Sequence, residues 1–240
     1  MKTKKIFFYI VVFFIFTYFR IYSFSLAESA NIKNKYNITK EDILYIDKNL
    51  KNIDNRKFLK MLNFNTKLSE SYKPKMLKQV PEKYTKDEKK VLIDYKVYED
   101  LIKMIKAAKN EDINLKVISG YRSYLYQKKL YKKMCDKYDA NYAKKYIAKP
   151  GYSQHQTGKA VDFNSLIIDQ KNKKIFQWLK ENAYKFGFSL SYPKDKNETS
   201  YQYEPWHYLH VGKDVSDIIH NIFGGNQKKF LLFINEYINQ

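Results

Sequence analysis

Histidine is scarce in this chain of 240 residues, with four copies: His155, His207, His210 and His220. Two of them lie in short segments dense with other chemically useful side chains. These are Ser153-Gln154-His155-Gln156-Thr157-Gly158-Lys159-Ala160-Val161-Asp162 and Glu204-Pro205-Trp206-His207. The helical motif in which two histidines flank a glutamate is absent, so a site built from these residues must be assembled from separate segments that the fold brings together. Two neutral imidazoles and a carboxylate make a three-ligand zinc set with a fourth position left for water. A glutamate three residues from a ligand can reach that water as a general base. A histidine and an aspartate in one stretch carry little weight alone, because an isolated histidine is usually packed or exposed. The weight comes from a third segment, Ser119-Gly120-Tyr121-Arg122-Ser123-Tyr124-Leu125-Tyr126-Gln127. There a turn sets Arg122 between a strand end and a helix start, a place suited to an anion.

Around these segments the hydrophobic pattern predicts a single α+β domain, a small antiparallel sheet with helices packed around it. From Ile93 onward, Val97, Leu101, Met104, Ile105 and Ala108 recur at the spacing of one helix face. Leu115, Val117 and Ile118 run into Ser119-Gly120 as a short buried strand ending in a turn. Ser123 is the expected N-cap of a second helix through Leu130 and Met134. After Pro150-Gly151, the small residues between Ser153 and Phe163 read as a strand closely approached by other backbone. Ile175–Tyr184 reads as a helix stopped by Gly187, Trp206–Val211 as a strand, and the tail from Lys213 as helical. The apolar fraction of 44%, with 23 Tyr and 16 Phe, is ample for one core.

Residues 1–27 are of another kind. Lys2, Lys4 and Lys5 precede an apolar run from Ile6 to Phe16, and Ser25-Leu26-Ala27 offers small residues at the positions a signal peptidase reads, so this is expected to be a signal peptide or a membrane anchor. Either places the folded part outside the cytoplasm. Residues 28–56, rich in Asn and Lys, read as a polar spacer with room for one short helix, and 57–240 as the compact domain. The lone Cys135 cannot form an internal disulfide and is expected on an apolar helix face without a catalytic role. The formal charge of +20 includes four basic and no acidic groups in 1–27, so a cleaved form would carry +16. Such a charge favours anionic partners, which for an exported chain means wall polymers or a membrane surface. Nucleic acid is not expected, since neither a recognition helix nor a zinc-finger cysteine pattern is present.

The three segments together resemble the signature of VanY-type D-alanyl-D-alanine carboxypeptidases, zinc peptidases related to VanX-type dipeptidases, phage endolysins and the hedgehog signalling-domain fold. The likeness runs from about Asn63 to Gly212 and includes Lys67-Leu68 through Tyr72-Lys73-Pro74. The pattern Ser-x-His-x-x-Gly-x-Ala-x-Asp is complete, and Glu-Pro-Trp-His is equally specific. The resemblance implies that His155, Asp162 and His207 hold one zinc per chain and that Glu204 is the base. It also implies that Arg122 stabilises the oxyanion, and that Ser153, Gln127 and Tyr121 help bind the terminal residue of a peptidoglycan stem peptide. The implied reaction is removal of the terminal D-alanine. The alternatives are an L,D-carboxypeptidase or endopeptidase with the same site, and a non-catalytic zinc-containing wall-binding module. One departure stands out: the family commonly has arginine two residues after the second zinc histidine, where this chain has Leu209. His210, three residues from His207, would point to the opposite strand face and is expected to be a packed or surface residue.

Overall fold

Two backbone approaches that only glycine permits hold the centre of this fold together. A Cβ on Gly120 would lie 2.4 Å from the Leu92 carbonyl oxygen, and one on Gly158 would lie 2.9 Å from Pro74 Cγ and 3.0 Å from the Asp94 nitrogen. Gly158 also adopts φ +70°, a left-handed conformation that costs other residues more. Through these contacts the Tyr121 N–H reaches Leu92 O at 2.6 Å and the Asp94 N–H reaches Gly158 O at 2.8 Å. The two chemistry-bearing turns are thereby clamped to one small hairpin. The computed structural model describes residues 33–50, 66–194 and 202–238; the expected leader, 1–27, lies outside them.

That hairpin is β1 (Leu77–Gln79) paired antiparallel with β2 (Leu92–Asp94). Asp94 then caps the long helix Tyr95–Asn110 by accepting from the Lys96 N–H. In chain order the helices are α1 (Lys40–Leu50), α2 (Tyr95–Asn110), α3 (Tyr124–Lys137), α4 (Ala140–Tyr146), α5 (Gln170–Asn182), α6 (Lys213–Asn221) and α7 (Gln227–Ile238). On α2 the predicted face, Val97, Leu101, Met104, Ile105 and Ala108, is buried in full. Each larger member of that stripe contributes roughly 1.5–3 kcal/mol of burial. Ser123 caps α3 through the Tyr126 N–H, as its position predicted.

The main sheet has four strands in the order β3-β4-β6-β5, all antiparallel, with β3 Val117–Ser119, β4 Ala160–Phe163, β5 Phe188–Leu190 and β6 His207–His210. This is the expected α+β architecture. The alternation of side chains across a strand sorts the sheet into two faces. Val161, Phe163, Phe188 and Tyr208 pack with α2 and α5 in one core. Ala160 and Leu209 pack on the other side with α6, α7, Tyr36, Ile38 and Ile46. Asp162 and His207 sit on that second side, beyond the end of its apolar layer.

Two segments differ from their expected form. Between Ser153 and Phe163 only Ala160–Phe163 is strand, because Gln154–Thr157 turns as a 3-10 helix that ends at Gly158. The stretch expected to be a polar spacer packs onto the domain. Thr39 and Asp42 exchange hydrogen bonds at 2.8 and 3.1 Å, a reciprocal cap that starts α1, while Tyr36, Ile38 and Ile46 are buried. Only a few apolar residues in an Asn- and Lys-rich stretch carry that contact, so composition concealed it. Leu209 is fully buried within this second apolar layer, which accounts for an aliphatic side chain at that position. Among the described residues no helix is long and apolar enough to cross a membrane.

Candidate active site

Cross-strand pairing assembles the centre. Asp162 on β4 lies directly opposite His207 on β6, and Asp162 also lies opposite Ser119 at the end of β3. The 3-10 turn before β4 carries His155 back over the same side, and the Arg122 N–H holds it by donating to His155 O at 3.1 Å. The result is a group of His155, Asp162 and His207 whose ligand atoms all lie within 4.8 Å of one another, each residue buried. The two imidazole rings meet edge to face, centroids 4.8 Å apart.

The hydrogen bonds behind the rings decide what the front can bind. His155 Nδ1 donates to the Gly120 carbonyl at 2.7 Å, so its Nε2 presents a lone pair. That Nε2 lies 3.2 Å from Asp162 Oδ2 yet has no hydrogen-bond partner, because neither atom carries a proton to share. His207 places Nδ1 2.9 Å from Asp162 Oδ1 and Nε2 2.9 Å from Gln154 Oε1. With the proton on Nε2, a second lone pair faces the carboxylate. Electron-pair donors converging without a proton between them are what a cation requires, so the residues fit a zinc ion with nitrogen and oxygen ligands.

The ionisation states agree with that fit. Burial above all, with the nearby Arg122 charge, pushes His155 down to about 4, leaving it neutral at pH 7. Glu204 behaves oppositely. Burial first, and then the Asp162 charge, raise it to about 7 against the opposing pull of His207 and Arg122. The tight turn Glu204-Pro205-Trp206-His207 closes with the His207 N–H on Glu204 O at 3.0 Å and sets Glu204 Oε2 3.8 Å from His207 Nδ1. A carboxyl poised near neutrality beside the ligand group can both accept and return a proton.

Arg122 reaches the same place from the other side, Nη2 3.5 Å from Asp162 Oδ2 and Nη1 3.3 Å from Gln127 Oε1. Gln127 is itself buried and donates to Ala148 O at 2.8 Å, so its amide braces Arg122 instead of standing free at the surface. Ser153 is buried just before the His155 turn. Tyr121 is half-buried beside Arg122, its phenol raised in pKa by burial. His210 faces the first core, where its Nε2 pairs with Asp100 Oδ2 at 2.9 Å, as strand alternation predicted. His220 lies apart, stacked on Tyr184 at 3.7 Å, and Cys135 is a half-buried free thiol on α3.

Sequence reasoning missed the support behind His207. Gln154 Oε1 also accepts from Ser191 Oγ at 2.7 Å, and Gln154 Nε2 donates to Gln227 Oε1 at 3.4 Å. The Tyr192 ring packs on His207 with centroids 4.8 Å apart. Gln154 was visible inside its motif, but nothing local marks Ser191 or Gln227 as its partners.

Two buried imidazoles and a carboxylate on an antiparallel sheet, flanked by a neutral-range glutamate and an arginine, define a centre of the zinc-peptidase class. Comparison with known proteins narrows that class. The profile of VanY, D-alanyl-D-alanine carboxypeptidase, matches residues 90–213, more than half of the chain. The D-alanyl-D-alanine carboxypeptidase of Enterococcus faecalis (strain ATCC 700802 / V583) is 34% identical over 139 residues, covering 54% of this chain and 52% of that protein. The structure of the LdcB LD-carboxypeptidase is similar with a TM-score of 0.64 and 33% identity, covering 69% of this chain and 81% of LdcB. A D,D-pentapeptidase VanY from a VanB-type resistance cassette, solved as a mutant in complex with Zn(II), is similar with a TM-score of 0.57 and 29% identity, covering 69% and 93%. This chain belongs to the VanY D-alanyl-D-alanine carboxypeptidase family. It spans about half the length of the curated relatives it matches.

Proposed function

We propose that this protein is a zinc-dependent carboxypeptidase that removes the terminal D-alanine from peptidoglycan stem peptides outside the cytoplasm, using one zinc per chain. The observation that carries this reading is the convergence of the buried ligand atoms of His155, Asp162 and His207 within 4.8 Å of one another, with Glu204 Oε2 3.8 Å from His207 Nδ1. His155, Asp162 and His207 hold the metal, which when bound supplies Lewis acidity toward a carbonyl and lowers the pKa of water. Glu204 takes a proton from the attacking water. As the amide C–N bond breaks, it passes a proton to the departing D-alanine nitrogen. Arg122, braced by Gln127, offers its positive charge to the oxygen on which negative charge develops. Ser153 and Tyr121 line the side on which the terminal residue is held. No side chain becomes covalently attached to substrate.

The expected leader and the charge support that setting. Residues 122–149, which contain α3 and α4, hold nine basic and two acidic residues. Both acids are engaged, Asp136 with Lys132 at 2.7 Å and Asp139 as the cap of α4. This basic wall beside Arg122 suits an anionic wall polymer or membrane surface.

The reading is tested by mass spectrometry of defined stem peptides incubated with the zinc-loaded protein. Release of one D-alanine from a pentapeptide, and much slower release when its terminus is amidated, is the expected result, because charge-assisted bonds to the carboxylate are lost. Cleavage of tetrapeptide but not pentapeptide would replace it with L,D specificity. Internal cleavage insensitive to amidation would make the protein an endopeptidase, and no cleavage of any stem would make it a binding module.

A further inference from the structure

The two candidate zinc histidines are held in different ways. His155 rests on a backbone carbonyl, Gly120 O, which can only accept. His207 rests on a side-chain amide, with Gln154 Oε1 2.9 Å from its Nε2. An amide has an accepting and a donating end of nearly the same shape, so the end that faces the ring decides which ring nitrogen carries the proton. With oxygen toward Nε2 the proton sits there, and Nδ1 is free to bind a metal next to Asp162. Turned over, the amide NH₂ would donate to Nε2 and drive the proton onto Nδ1, between the ring and Asp162 Oδ1.

Two buried groups contact that amide. Ser191 Oγ lies 2.7 Å from Gln154 Oε1, but a hydroxyl can donate or accept and so does not choose the direction. Gln227 Oε1 accepts from Gln154 Nε2 at 3.4 Å, a long bond, and Gln227 is an amide whose own Nε2 has no hydrogen-bond partner, so it does not choose the direction either. Ser191 and Gln227 are 0% exposed, His207 3% and Gln154 7%, so water is excluded from substituting for a lost partner. Gln227 is the first residue of α7, beyond the 90–213 segment matched by the family profile.

We propose that Gln154 is the positioning residue for His207, its amide oxygen holding the ring proton on Nε2 so that Nδ1 faces the candidate metal site. The inference rests on His207 being a zinc ligand. It is tested on the full chain by measuring Zn²⁺ affinity in competition with a chromophoric chelator, with far-ultraviolet circular dichroism and thermal unfolding confirming the fold. Gln154→Met, similar in length but without an acceptor for Nε2–H, should bind zinc about 10–100-fold more weakly, the range for loss of such an outer partner. Gln154→Glu should retain at least native affinity, because a carboxylate accepts at either oxygen. If Gln154→Met does not fold, a folded Gln154→Glu with zinc affinity more than tenfold below native would overturn the proposal. Folded Gln154→Met with affinity within twofold of native would overturn the role of Gln154, provided His207→Ala has lost zinc. Native zinc affinity in His207→Ala would remove the ligand assignment and the inference with it.

Discussion

The tasks proposed for Glu204 and Arg122 are electrically opposite, and substitution separates them from the metal. Glu204→Gln keeps the shape but cannot accept a proton, so it should retain zinc while turnover falls by about 10²–10⁴-fold. Arg122→Ala should also retain zinc and lower turnover by roughly 10²–10³-fold, the range for removing one group that stabilises an oxyanion. Metal analysis and stem-peptide kinetics on the same preparations check both, and native turnover in Glu204→Gln would end its assignment as base. At this scale much of the site was legible, since His155, Asp162, Glu204 and His207 stand in two compact motifs. Less legible was the posture of each group. Gln127 reads as a polar residue near the site, yet its burial and its bond to Ala148 O make it a brace for Arg122.

At the scale of elements, the β2 hairpin and the helix that follows it organise the site from behind. Gly120→Ala would set a Cβ against the Leu92 carbonyl, a contact that backbone must move to relieve. Overpacking of this kind costs about 1–3 kcal/mol, so the midpoint of urea unfolding should fall, with weaker zinc retention because Gly120 O holds His155. The pair between α2 and β6 has a pH signature. A hydrogen bond from His210 chiefly lowers the Asp100 pKa below its ordinary 3.8, against opposing desolvation. A depressed carboxyl stabilises the fold above its unfolded pKa, and that contribution disappears as pH falls through the folded value. Asp100→Asn should therefore be less stable than the native protein at pH 7, with the gap closing below about pH 4. Urea titrations at pH 7 and pH 3 measure it, and a constant gap would refute the linkage. Strand alternation alone put His210 on the far face from His207; that Asp100 waits there required the packing of α2 on the sheet.

Across the whole molecule, the sheet is held between two apolar layers, and the second one is assembled from the two ends of the described chain. Phe233 is fully buried and contacts the rings of Tyr36, Phe223 and Tyr237 at 5.4, 5.3 and 5.1 Å. Phe233→Ala should cost about 3–5 kcal/mol, read as a lower thermal midpoint, and a change under 1 kcal/mol would mean this layer contributes little. The sequence by itself determined the α+β class, the buried face of α2, the cap at Ser123, and the identity of the chemical groups. Those features are local: periodicity, capping and motif chemistry act within a few residues of one another. Only the tertiary structure decided that Tyr36 and Ile46 join the core, that Gln154–Thr157 turns instead of extending, and that Gln227 reaches Gln154 behind His207. Each depends on a contact between residues far apart in the chain, where burial removes water as a competing partner and a single neighbouring atom settles which way a side chain points.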